Sequence, residues 1–167
     1  MNFGVIYGQG AYTLAKQLRK PQKEAQAFID AYFRTFSGVK AFIDRTVAEA
    51  REKGFVTTLS GRRRPVPFLA SPNPAQRAQA ERIAVNTVIQ GSAADLIKIA
   101  MIRVTKALEG TRARLLLQIH DELVLNVPAG DLEAVRKTVV REMTGAMRLA
   151  VPLAVNTASG ETWREAA

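Results

Sequence analysis

The sequence predicts an α+β fold: a mostly antiparallel sheet packed with helices, preceded by a run of further helices. Three observations carry this. Apolar residues recur at helical spacing through the first third of the chain. Two segments, residues 55–68 and 114–127, instead pair β-branched, aromatic or aliphatic runs about a short polar turn. A further helical pattern at 132–149 follows the second of these and supplies a face to cover it. The 167 residues fit one domain or a large piece of one, and an apolar content of 47% is enough for a real core.

Taken in order, residues 9–20 read as a short helix that ends before Pro21. The next begins at Pro21 or Gln22 and runs to about Phe36, with Ala25, Phe28, Ile29, Tyr32 and Phe36 at helical spacing. Ser37-Gly38 is expected to break it. A third helix carries Val39, Phe42, Ile43, Val47 and Ala50 on one face and stops at Gly54. Phe55 to Leu59, the turn at Ser60-Gly61 and residues 62–68 form a small hairpin. After the loop Ser71-Pro72-Asn73-Pro74, a helix covers residues 75–89. Gln90-Gly91 is expected to interrupt it, and the capping-box pattern Ser92-Ala93-Ala94-Asp95 to start a new helix running to about Leu108. Residues 114–127 make a second hairpin, 132–149 a helix with Leu132, Val135, Val139, Met143 and Met147 inward, and 151–157 a last strand.

Charge and composition narrow the partners. Net charge is +9, and residues 1–110 hold all of it, with 17 Lys and Arg against 8 Asp and Glu; residues 111–167 balance at 7 against 7. A polyanion, nucleic acid first, fits such a surface, and a structural basic protein of ribosomal type has the same composition. There is no cysteine, which excludes disulfides and thiolate chemistry and fits a reducing compartment. No apolar run approaches the roughly 18 residues that span a bilayer, and no secretory signal is read at Met1-Asn2-Phe3-Gly4, so no membrane partner is expected.

Four constellations bear chemistry. At Gln118-Ile119-His120-Asp121-Glu122, two adjacent carboxylates lie where two apolar strands meet. Neighbouring strand residues point to opposite faces, so Asp121 and Glu122 approach one ion only if the backbone turns there. Hard oxygen ligands of this kind suit Mg²⁺ or Mn²⁺; a solvated polar turn is the other reading. Arg82, Asn86 and Gln90, at i, i+4 and i+8, form one polar stripe on a helix. It is either a solvated face or a set of donors for the minor-groove acceptors, which lie in nearly the same place for every base pair. Arg62, Arg63 and Arg64 follow a tight turn and read as phosphate contacts or as a solvated turn. Phe3 and Tyr7, four apart among glycines, either stack on a base or sugar or serve as core aromatics. His120 is the only histidine.

Together these segments resemble the C-terminal part of family A DNA polymerases of the bacterial DNA polymerase I type. Asn2-Phe3-Gly4 through Tyr7-Gly8 is similar to the end of motif B on the fingers helix. Leu59-Ser60-Gly61-Arg62-Arg63-Arg64 is similar to the hairpin that follows. Ala80-Glu81-Arg82 through Gln90-Gly91-Ser92-Ala93-Ala94-Asp95 resembles the primer–template-binding helices of the palm. Gln118 to Glu122 resembles motif C, and Gly160-Glu161-Thr162-Trp163 the terminal signature.

The resemblance implies a fingers-like helical segment at 1–54 and a palm-like segment at 55–167. It implies that Asp121 is one of two aspartates in a two-metal phosphoryl transfer, with Glu122 an auxiliary carboxylate and Mg²⁺ or Mn²⁺ the cofactor. His120 would contact the primer terminus. Phe3 would lie beside the sugar of an incoming deoxynucleoside triphosphate, in the form associated with rejecting dideoxynucleotides, and Tyr7 near the templating base. Arg82, Asn86 and Gln90 would meet the minor groove of the primer–template, and Arg62, Arg63 and Arg64 its backbone. The family's motif A, with the other aspartate, does not occur in these 167 residues. The chain alone is therefore expected not to extend a primer at a useful rate. It would act in replication or repair with an upstream polymerase segment, as one half of a split enzyme, or as a non-catalytic DNA-binding module, in the cytoplasm of a bacterium or a phage host.

Overall fold

In the computed structural model, residues 2–166 are described, and side chains from Gly4 to Ala166. They fall into two compact units, Met1–Gly91 and Ser92–Ala167.

The first unit opens with helices α1 (Asn2–Ile6), α2 (Ala11–Leu18), α3 (Gln22–Thr35) and α4 (Ser37–Lys53). Helix α2 ends at Arg19, whose left-handed backbone (φ 52°) turns its N–H back onto the Ala15 and Lys16 carbonyls. Pro21, with φ fixed near −55°, then leads into α3. The expected break at Ser37-Gly38 lies one residue earlier. Phe36 alone leaves helical geometry, at φ −107° and ψ 58°, and Ser37 already begins α4. Gly54 ends α4 as expected, in the left-handed region at φ 76°. Val5, Leu14, Ala15, Ala25 and Ile29 form one core, with Leu18, Tyr32 and Phe33 packed on it.

The first hairpin follows as β1 (Phe55–Thr57) and β2 (Arg63–Pro65), antiparallel, with Val56 opposite Arg64 and Thr57 opposite Arg63. Val56, Val66 and Leu69 bury against Ala50 of α4 and against Ala80 and Ala84 of α5 (Pro74–Ala107).

Helix α5 corrects the sequence reading. It is one helix of 34 residues, without a break at Gln90-Gly91 and without a new start at Ser92-Ala93-Ala94-Asp95. Gly91 has a packing purpose instead. A Cβ there would stand 2.9 Å from Thr58 Cγ2 and 3.6 Å from an Arg62 Nη, so only glycine lets the turn of the first hairpin lie against the helix. Residues of α5 up to Gly91 belong to the first unit, and those from Ser92 to the second.

In the second unit, β3 (Arg114–Ile119) and β4 (Glu122–Asn126) form an antiparallel hairpin with a bulge at Leu116: Leu115 is opposite Leu125, but Leu117 is opposite Val124. A 3₁₀ turn at Ala129–Asp131 leads into α6 (Leu132–Thr144). Leu123, Leu125 and Val127 pack on the core of Val104, Leu108, Ala113, Val135 and Val139. Helix α6 stops at Gly145, short of the expected residue 149, and Arg103 donates to the Gly145 carbonyl there. The expected strand at 151–157 is not formed. Leu153 and Val155 are half-buried between exposed neighbours, as in an extended chain, but no strand pairs with them among the described residues, and Pro152 removes one donor. A short helix, α7 (Trp163–Ala166), closes the chain. Among the described residues the fold is α+β, with helices dominant and two two-stranded antiparallel sheets.

Candidate nucleic-acid interface and carboxylate turn

The stripe of Arg82, Asn86 and Gln90 lies on α5 within the first unit. Beside it, Arg62, Arg64, Ile83, Asn86, Thr87, Gln90 and Gly91 line an open cavity of about 350 Å³. Asn86 Oδ1 is buried in this unit and has no hydrogen-bond partner among the described residues. A buried amide oxygen left without a donor costs about 1–3 kcal/mol.

The pleat of β2 sets Arg63 and Arg64 on opposite faces, and Arg62 precedes the strand. Thr57 and Arg63 share one face, and Arg63 lies over the ring of Phe55 at 4.9 Å. Val56 and Arg64 share the other, and Val56 is buried. Arg64 Nη1 therefore reaches α5, donating to Thr87 Oγ1 at 2.9 Å, and Thr87 in turn donates to the Ile83 carbonyl at 2.6 Å. Arg62 Nη2 donates to the Gly91 carbonyl at 3.2 Å. Of the three cations expected along a DNA backbone, two lie on the same cavity as Asn86 and Gln90.

The N-terminal segment reaches the stripe as well. Gly8 has φ 83°, and a Cβ on it would fall 2.7 Å from Arg82 Cγ, so the arginine stem passes directly over the glycine. Tyr7, half-buried, precedes it. The side chain of Phe3 lies outside the described residues.

In the second unit, His120 and Asp121 form the two-residue turn between β3 and β4, and Ile119 is opposite Glu122. His120 adopts φ 53°, uncommon outside glycine, and its carbonyl accepts a hydrogen bond from Gln118 Nε2. Asp121 and Glu122 are both exposed, and Glu122 shares the face of Val124, opposite to the core residues Leu123 and Leu125. Hairpin geometry thus supplies the backbone turn that two adjacent carboxylates need in order to serve one cation. Among the described residues, no three His, Asp or Glu side chains gather into a metal-holding group. The donor set fits Mg²⁺ in chemistry, since that ion commonly takes one or two carboxylates and fills its shell with water and phosphate. Two carboxylates do not by themselves clamp two ions.

Sequence reasoning missed Thr87, Gly8 and Gly91 as parts of this face. Thr87 carries no motif signal. Strand alternation in the first hairpin was the available clue, because it sends Arg64, and with it a partner on α5, to the side of Val56.

No helix is long and apolar enough to cross a membrane among the described residues. The pattern of DNA polymerase family A matches residues 1–165. DNA polymerase I, thermostable, of Thermus aquaticus is 48% identical over 166 residues, covering 99% of this chain and 20% of the relative. DNA polymerase I of Bacillus subtilis (strain 168) is 49% identical over 168 residues, covering 99% and 19%. The chain thus spans about a fifth of the length of these relatives. Among solved structures, the POL domain of Pol1 from M. smegmatis, in complex with DNA primer-template and dNTP, superposes with a TM-score of 0.96 at 43% identity, covering 99% of this chain and 30% of that one.

Proposed function

Since the chain belongs to DNA polymerase family A, we propose that it is part of a polymerase domain that grips the primer–template duplex by its minor groove and contributes to template-directed nucleotidyl transfer. The cavity on α5 carries this reading. It gathers Arg62, Arg64, Asn86 and Gln90, whose guanidinium and amide N–H groups are hydrogen-bond donors. Guanidinium and amide N–H groups match the purine N3 and pyrimidine O2 acceptors, whose positions hardly change between base pairs, so such a face holds any correctly shaped pair. The M. smegmatis relative was solved with primer-template and dNTP, which supports the same ligands here.

In this reading residues 1–54 are fingers-like and 55–167 palm-like. Phe3 lies beside the sugar of the incoming deoxynucleotide, Tyr7 near the templating base, and His120 at the primer terminus. Arg63 keeps to the phosphate backbone. Asp121 and Glu122 offer hard carboxylate oxygens to Mg²⁺ or Mn²⁺, and the exposed turn leaves room for phosphate and water. A divalent ion bound there would supply charge stabilisation on phosphoryl oxygens. The remaining ligands of a two-ion site come from another polymerase segment, which is the protein partner of this reading. Its place is with the DNA, in the bacterial or phage-host cytoplasm. Arg82, Asn86 and Gln90 belong to the first unit, and the carboxylates of the turn to the second. That separation favours, as a second reading, a DNA-binding module without catalysis.

Primer extension separates these readings. The purified chain with Mg²⁺ is expected to bind a primer–template and not to extend it. Mixed with a polymerase segment bearing the missing aspartate, it is expected to extend the primer, and Asp121→Ala should abolish that extension. Extension by the chain alone, lost in Asp121→Ala, would contradict the need for a second segment. Binding that never leads to extension in any mixture would leave the DNA-binding module.

A further inference from the structure

The arginine triple and the helix beside it hold a relationship that goes beyond duplex gripping. Thr87 is 4% exposed. A hydroxyl has one proton to give. That proton goes to the Ile83 carbonyl at 2.6 Å, so Oγ1 presents only lone pairs to Arg64 Nη1 at 2.9 Å. The hydroxyl is thereby an oriented acceptor and not a free rotor. Arg64 uses one guanidinium N–H on it and keeps the others for a ligand. Thr87, Arg64, Asn86 and Gln90 all line one cavity. Arg63, over Phe55, stands apart.

An arginine on a mobile stem must be ordered when it binds, which weakens the complex. One ordered in advance does not carry that cost. We propose that Thr87 is a positioning residue that fixes Arg64 as a further donor of the minor-groove face, directed at base-edge and sugar acceptors and not at phosphate. This rests on the reading that the α5 face binds the primer–template. Thr87 itself touches no DNA; it acts through Arg64. The division of labour between Arg63 and Arg64 then follows from the pleat of β2 and from one threonine. Arg64 reads the shape of the pair, and Arg63 remains a backbone contact.

A double-mutant cycle on the full chain tests this, with a fluorescein-labelled primer–template followed by anisotropy and folding checked by circular dichroism. Thr87→Val keeps the side-chain shape and removes the hydroxyl. It is expected to weaken binding about fivefold, with Thr87→Ser restoring it to within about twofold. Arg64→Ala is expected to weaken binding about tenfold, and the double variant no more than Arg64→Ala alone. A merely structural role for Thr87 would instead make the two losses multiply, and that result would overturn the proposal, as would Thr87→Val binding like the wild type. Should Thr87→Val fail to fold, Arg64→Lys takes its place. It keeps the charge without the planar fork, and is expected to bind as weakly as Arg64→Ala; binding equal to the wild type would overturn the proposal. A wild-type chain that binds no duplex overturns both this proposal and the reading beneath it. Binding weakened by Arg82→Ala and Gln90→Ala but untouched by Thr87→Val overturns this proposal alone.

Discussion

The stem of Arg82 rests on Gly8: a Cβ on Gly8 would lie 2.7 Å from Arg82 Cγ and 3.0 Å from Cδ. The glycine also sits at φ 83°, where an L side chain carries a strain of roughly 1–2 kcal/mol. Gly8→Ala is therefore expected to displace Arg82 from the stripe. Duplex affinity should fall about tenfold, and the double variant with Arg82→Ala should bind no worse than Arg82→Ala alone. Anisotropy titrations of the four proteins check this; full affinity in Gly8→Ala would show that the stem position is irrelevant to binding.

Asn86 separates stability from binding. Its Oδ1 is buried without a partner among the described residues, so the free protein gains nothing from that amide oxygen. Asn86→Leu, close in volume and apolar, is expected to leave the urea midpoint unchanged or raise it by the equivalent of up to about 1 kcal/mol. The same variant should lose about tenfold in duplex affinity. Loss of both together would assign Asn86 to the fold and remove it from the DNA face.

Gly91→Ala opposes two effects of similar size. Helix propensity favours alanine by about 1 kcal/mol in a helix interior. Against it, the new Cβ meets Cγ2 of the buried Thr58 at 2.9 Å, and the first hairpin must shift away from α5. We expect the clash to win, with a net destabilisation of about 1 kcal/mol by urea denaturation and weaker duplex binding as Arg62 moves. A stabilised variant would mean that the hairpin does not press on the helix as described.

The same glycine shows what the sequence could and could not carry. Both hairpins, the Gly54 stop and the inward positions Ala25 and Ile29 of α3 and Val135 and Val139 of α6 were legible, because local periodicity and turn chemistry decide them. Phe28 and Phe36 of the expected α3 stripe are exposed, and Met147 lies beyond the end of α6. The continuity of α5 was not. A glycine before a Ser-Ala-Ala-Asp pattern reads as a stop and a restart, and only the proximity of Thr58, 33 positions earlier, explains it as a contact. The absent strand at 151–157 failed for a related reason: alternation shows which residues can face a core, but a strand also needs a partner for its backbone. The stripe on α5 was legible from spacing alone, and so was the carboxylate turn. The partition of Arg63 from Arg64 depended on the register of β1 with β2, which Ser60-Gly61 alone did not specify.

Acid should loosen the second unit through Glu142. Arg141 and then Arg103 hold its carboxyl below the ordinary carboxylate value of 4.5 by hydrogen bonding. A carboxyl lowered on folding adds stability that is present above its unfolded value and lost as pH falls through its folded value. Glu142→Gln is thus expected to be less stable at neutral pH and to lose less on acidification below about 4.5. Urea midpoints across that range check it; parallel curves for the two proteins would mean that the arginine pairs do not couple to folding.

The central claim, that the α5 face reads minor-groove acceptors, is tested most directly by removing those acceptors from the DNA. A primer–template whose terminal purines are 3-deaza analogues lacks the N3 acceptor and keeps Watson–Crick pairing. The wild-type chain is expected to bind it about tenfold more weakly than the natural duplex, while a variant already lacking Arg82 and Gln90 side chains binds both alike. Equal affinity of the wild-type chain for the two duplexes would contradict the account.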